Sequence, residues 1–179
     1  LRAQAETIAS SIINNASFNC IATKVVVTCR QWSQRKQFLD LLDSLLAATP
    51  PRHAYYPGAA GRFERFNGKP AADRDYLPWT VKRDIDPKAT PHLVNEESFT
   101  CVCGELVLDS DNEQNFLGQV QDIFNQDIWG TLAASLTIPS AFRRKHSELL
   151  DETLRNLQYG TIGINQWTAI SFALMSPPW

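Results

Sequence analysis

The sequence has little that would commit it to a membrane, a nucleic acid or a metal. No apolar run approaches the roughly 18–20 residues that a bilayer-spanning helix needs. The first residues, Leu1-Arg2-Ala3-Gln4-Ala5-Glu6-Thr7, lack the basic start and apolar stretch of a signal peptide. There is no excess of positive charge. Lys and Arg total 17 against 19 Asp and Glu, a formal net charge of -2, and the isoelectric point is near 5.9. A protein that binds nucleic acid through counterion release is normally more basic. Histidine is scarce: His53, His92 and His146 are the only three. None of them, and none of Cys20, Cys29, Cys101 and Cys103, falls at Cys-x-x-Cys or His-x-x-x-His spacing. That argues against a structural zinc site. The chain shows no internal repeat. Its cysteines read as reduced thiols of a cytoplasmic protein, since a domain of this apolar content needs no staples.

What is present is an ordinary globular composition. The 179 residues are 44% apolar and 20% charged, enough for one domain. Without an initiating methionine, and with Pro177-Pro178-Trp179 at the other end, both termini read as cuts inside a longer protein. Ala5, Ile8, Ala9, Ile12 and Ile13 recur at helical spacing and predict a helix over 1–16. Thr23 to Thr28 is short, β-branched and apolar, and predicts a buried strand. Ser33 is the expected cap of a second helix with Phe38, Leu41, Leu42, Leu45 and Leu46 inward, ended by Pro50-Pro51.

Residues 50–91 differ in kind. They hold seven of the ten prolines and three of the eight glycines. Tyr55, Tyr56, Phe63, Phe66, Tyr76 and Trp79 are scattered through them without period. Disordered tracts are poor in aromatics, so the segment reads as an ordered, irregular excursion over the domain surface. Regularity returns with predicted strands at 105–109, 132–138 and 161–165. Between them lie a helix capped by Asp111 or Asn112 and another capped by Ser147. Helices alternating with short apolar strands predict one α/β domain over 1–179, a three-layer sandwich with a mostly parallel sheet.

Four segments in order resemble the catalytic domain of the NAD(P)-dependent aldehyde dehydrogenase superfamily. Asn15-Ala16-Ser17-Phe18-Asn19-Cys20-Ile21-Ala22 is similar to that family's nucleophile segment, Asn-x-Gly-Gln-x-Cys-x-Ala. Asn95-Glu96-Glu97-Ser98-Phe99 resembles its Glu-Glu-x-Phe-Gly-Pro. Trp129 to Ser135 resembles its Tyr-Gly-Leu-Ala-Ala strand, and Gly160 to Asn165 its Gly-Thr-Val-x-Val-Asn. Ser17-Phe18 stands where the family has Gly-Gln, and Thr100-Cys101 where it has Gly-Pro.

The resemblance implies oxidation of an aldehyde to an acid with NAD or NADP. Cys20 would be the nucleophile, its thiolate attacking the carbonyl. Glu97 would hold the nicotinamide ribose hydroxyls, with Phe99 beside the nicotinamide. The general base, one oxyanion donor and most of the cofactor site would belong to an upstream domain, so the isolated fragment would be inactive. The parent would be a homo-oligomer acting on an aldehyde. Asn165 reads as a structural cap or a funnel wall. Cys20 also fits a small core residue, and Glu96-Glu97 an exposed acidic turn before a core Phe99. Two other functions stay open: a Cys–His hydrolase, which needs a histidine beside Cys20, and a non-catalytic pseudoenzyme or oligomerisation domain.

Overall fold

A computed structural model describes residues 1–174, so the Pro177-Pro178-Trp179 end lies outside the described residues. The elements run α1 (Arg2–Ile13), β1 (Val25–Cys29), α2 (Arg35–Ala47), α3 (Ala59–Asn67), β2 (Thr80–Lys82), α4 (His92–Asn95), β3 (Val102–Leu108). They continue α5 (Glu113–Gln126), β4 (Ala133–Leu136), α6 (Ser140–Lys145), α7 (Ser147–Asn156), β5 (Thr161–Ile164) and α8 (Ala169–Leu174). The fold is α/β and the strands pair in parallel.

β3 is the central strand of a three-stranded sheet ordered β1-β3-β2. Its register runs from Val25 beside Gly104 to Cys29 beside Leu108, and from Thr80 beside Val102 to Lys82 beside Gly104. Helices α1 and α2 cover one face, where Ala9, Ile12, Leu42 and Leu46 meet Val26, Val81 and Cys103. The other face carries Val25, Val27, Val102, Leu106 and Leu108 under Phe63 and Phe66 of α3 and Val120 of α5. A strand covered on both faces reads as a nearly unbroken apolar run, which is what Val102–Leu108 is apart from Glu105.

Glu105 is fully buried on the α1–α2 face. Arg35 of α2 donates to both of its oxygens, Nε to Oε1 at 2.9 Å and Nη2 to Oε2 at 2.8 Å. Thr28 Oγ1 and the backbone N–H of Asp84 complete the set. A buried carboxylate is tolerable only when paired and hydrogen-bonded in this way.

The structure departs from the sequence expectation in the sheet. The strands at 133–136 and 161–164 do not join the others but form a separate two-stranded pair, Ala133 beside Thr161 to Leu136 beside Ile164. Leu117, Leu136, Ile138, Leu150 and Leu157 give this pair its own core against α5 and α7. The expected caps also shift. Asn112 does cap α5, its Oδ1 accepting from the Asn115 N–H at 2.8 Å. Gln34 and His146, not Ser33 and Ser147, occupy the cap positions of α2 and α7.

The span 50–91 contains a helix and a strand. Gly58 and Gly68, at φ 76 and 81, bound α3 in a left-handed conformation that glycine adopts without penalty. His53 bridges Tyr76, and the Ala54 N–H donates to Asp75 O at 2.7 Å. Phe63, Phe66 and Leu77 are buried, and the Trp79 indole donates to Thr49 O at 3.0 Å. Tyr55, Tyr56 and Tyr76 are exposed.

Candidate active site

The chain leaves α1 through three consecutive residues at positive φ: Asn15 at 51°, Ala16 at 55° and Ser17 at 68°. None is glycine, and each such residue costs about 1–3 kcal/mol. The turn is held from several sides. Asn15 Nδ2 donates to Phe18 O at 2.8 Å, and the Phe18 N–H to Asn15 O at 3.0 Å. Asn19 follows with its own turn, accepting the Ile21 N–H on Oδ1 and the Ala22 N–H on its carbonyl, both at 3.0 Å. Cys20 sits between these anchors. The Trp167 indole N–H, arriving from the segment after β5, donates to Ile21 O at 2.8 Å.

Cys20 is exposed, whereas Cys101 and Cys103 are buried and Cys29 is half-buried. Burial pushes the Cys101 thiol up to about 11 and the Cys103 thiol up to about 12. Cys20 lines a cavity of about 1520 Å³ that runs between its loop, Glu96 and Glu97, Trp129 to Leu136, and Asn165 to Thr168. Glu97 is exposed on this cavity wall.

Phe99 is not among the cavity-lining residues. It is half-buried at φ 41° and joins an aromatic cluster. Its ring lies 4.8 Å from that of Tyr56 and 6.2 Å from that of Phe18. Phe18 also meets Tyr55 edge-on at 5.1 Å and stacks on Tyr56 at 5.6 Å. The structure therefore brings Cys20 and Glu97 to one cavity and sets Phe99 behind the cysteine loop, against Phe18.

One charged residue joins the two loops, and nothing in the local sequence marks it. Lys24, just ahead of β1, donates from Nζ to Ser17 O at 2.8 Å, to Ser17 Oγ at 2.9 Å and to Thr100 O at 3.2 Å. The residue as a whole is partly exposed, but its ammonium end is enclosed. Burial pushes the ammonium down to about 8, against the opposing pull of Cys103, Glu97 and Cys101 and with help from Arg62.

Asn165 closes β5 and grips the neighbouring strand's exit. Its Oδ1 accepts the Ile138 N–H and its Nδ2 donates to Ile138 O, both at 2.8 Å. The histidines are elsewhere: His53 rests on Tyr76, His92 on Phe66 and His146 on Phe142. None of them lines the cavity, so the Cys–His arrangement does not form around Cys20. Among the described residues no group of three or more His, Cys, Asp and Glu is gathered to hold a metal. No described helix is long and apolar enough to cross a membrane.

No family model matches the sequence, and no curated protein does. Solved structures do match. The NADP-dependent glyceraldehyde-3-phosphate dehydrogenase of Bacillus halodurans C-125, complexed with NADP, superposes with a TM-score of 0.73 at 19% identity. That match covers 93% of this chain and 36% of the other. Aldehyde dehydrogenase 21 from Physcomitrella patens, in complex with the reaction product succinate, gives 0.72 at 10% identity over 94% and 36%. Indole-3-acetaldehyde dehydrogenase, complexed with NAD+, gives 0.70 at 19% over 93% and 35%.

The chain has an aldehyde dehydrogenase fold. It spans about a third of the length of the solved structures it matches. At these identities the likeness to the aldehyde dehydrogenases is one of fold.

Proposed function

We propose that this chain is the cysteine-bearing part of an NAD(P)-dependent aldehyde dehydrogenase, with Cys20 as the nucleophile. The observation that carries the reading is the shared cavity. An exposed thiol and an exposed carboxylate, 77 positions apart in sequence, line one cavity within an aldehyde dehydrogenase fold.

The chemistry follows from the thiol. The Cys20 thiolate adds to the aldehyde carbonyl, forming a C–S bond and a thiohemiacetal oxyanion. A cysteine suits this because its thiolate is strongly nucleophilic even at a low thiolate fraction. The Cys20 backbone N–H is the oxyanion donor this chain would contribute. A nicotinamide cofactor, when bound, would supply a hydride acceptor, so that loss of hydride from the adduct would leave an acyl thioester on Cys20. Water then cleaves the C–S bond, giving the acid and returning the thiol.

Glu97 fits a cofactor ribose: its carboxylate is exposed on the cavity wall and can accept from two vicinal hydroxyls. Phe99 is proposed beside the nicotinamide; it stands off this cavity's wall and also backs the cysteine loop through Phe18. The general base, the second oxyanion donor and most of the cofactor contacts are assigned to an upstream domain of the parent protein.

The test is aldehyde-dependent reduction of NAD or NADP by the parent protein and its Cys20→Ser variant. We expect the variant to fall to background, with Glu97→Gln raising the cofactor KM. An unchanged rate for Cys20→Ser would sink the assignment.

A further inference from the structure

The two loops of the proposed site are far apart in sequence, yet one side chain holds both. Lys24 commits all three ammonium protons. Two go to Ser17, three residues ahead of Cys20, and one goes to Thr100, the residue after Phe99. An ammonium has three donors and no acceptor, so this geometry leaves none of its protons without a partner. We propose that Lys24 is a positioning residue that latches the cysteine loop to the Glu97–Phe99 loop, so that the two dock and undock together. The inference deepens the functional reading above, because those loops are its nucleophile and cofactor segments.

The latch carries a proton signature. The groups facing the ammonium are Cys103 of β3, Cys101 just before it, Glu97 of the second loop and Arg62 of α3. Burial outweighs the opposing charges, and the docked lysine titrates at about 8 where a solvated one titrates at 10.5. The undocked state therefore binds more protons between those values, and docking strengthens as pH rises through the window. Below about pH 7 both states are protonated and the dependence levels off. Cys101, inside the second loop, works in the opposite sense: its thiol, pushed up to about 11 when docked, favours undocking once pH passes the ordinary thiol value of 9.0. Cys103 stays buried beneath α1 and α2 in either state and does not enter the balance. The lysine acts alone only between about pH 7 and pH 9, where one displaced proton changes the docking equilibrium by about tenfold.

Quench-flow hydrogen–deuterium exchange on this chain tests the latch, with the core amides of α5 as the folding reference. We expect the protection of residues 15–22 and of residues 97–101 to rise together by about tenfold from pH 7 to pH 9. Lys24→Met should lower protection in both segments and abolish the rise. Lys24→Arg, a cation that does not titrate here, should also abolish it. A flat wild-type profile, a rise in only one segment, or a rise that persists in Lys24→Arg would overturn the proposal. The wild-type profile and the Arg variant decide the matter even where Lys24→Met does not fold. Cys20→Ser should leave the exchange pattern intact. A parent that oxidises aldehyde without Cys20 would therefore sink the functional reading, while the latch stands or falls on exchange alone.

Discussion

Cys20 and Cys103 carry the same thiol in opposite surroundings. Cys103 is fully buried beneath α1 and α2, and burial pushes it up to about 12. Cys20 is exposed on the cavity. Reactivity follows the thiolate and its access. Under native conditions iodoacetamide should label Cys20 first, Cys29 more slowly, and Cys101 and Cys103 only after unfolding, as read by peptide mass mapping. Equal labelling of Cys20 and Cys103 would contradict the packing described here. Two departures from the resembling family's motifs also make sense at this scale. Ser17 stands where that family has glycine, at φ 68°. It gives up glycine's freedom in a left-handed position and gains a hydroxyl that accepts from Lys24. Phe18, in place of glutamine, anchors the cluster with Tyr55, Tyr56 and Phe99. Thr100 in place of glycine has no structural explanation, since the carbonyl it offers to Lys24 is backbone.

At the scale of elements, the β4–β5 pair has no room for one added methyl group at Gly163. A Cβ on Gly163 would lie 2.8 Å from Gln166 O and 3.2 Å from Thr168 Cγ2. The first of these is backbone and cannot swing aside. Gly163→Ala should therefore cost about 1–3 kcal/mol of stability in urea unfolding. It should also loosen the Trp167 indole from Ile21 O, seen as a shift in tryptophan emission. Gly104→Ala should cost less, because its 2.8 Å contact is the flexible end of Ile85. Four of the five strands were legible because each is a compact apolar run. β2 was not, since the three residues Thr80-Val81-Lys82 cannot display a period. α3 was hidden by Gly61 inside it and by the prolines around it. The split into two sheets had no local signature, because strand pairing is settled by what packs between strands. The Cys20 and Glu97 segments were legible through motif order. Lys24 was not, since a lysine opening a Val-rich strand looks like any solvated edge residue and its partner Thr100 is 76 positions away.

At the scale of the whole molecule, the cavity that Cys20 shares with Glu97 is about 1520 Å³. That exceeds the roughly 300–1,000 Å³ of an ordinary small-molecule site. A nucleophile in so wide a space is not by itself a catalyst. Reaction needs the carbonyl held in attack geometry, an oxyanion donor aimed at it, and a hydride acceptor beside it. The chain offers a thiol, one backbone donor and, on the proposed reading, a carboxylate for the cofactor ribose. On the reading proposed here, the remaining groups come from the other two-thirds of a full-length enzyme. The 179 residues alone should therefore not reduce NAD or NADP in the presence of aldehyde. Loss of a single oxyanion donor already costs about 100- to 1000-fold, and loss of the hydride acceptor's site removes the oxidation altogether. Cys20 should nonetheless remain open to alkylation in the same sample, so a dead assay with a reactive thiol is the expected pair of results. Robust turnover by the isolated chain would mean that its base and its cofactor site are internal. The division of labour between this domain and its upstream partner would then be wrong, while Cys20 as nucleophile could still be tested by Cys20→Ser in the same assay.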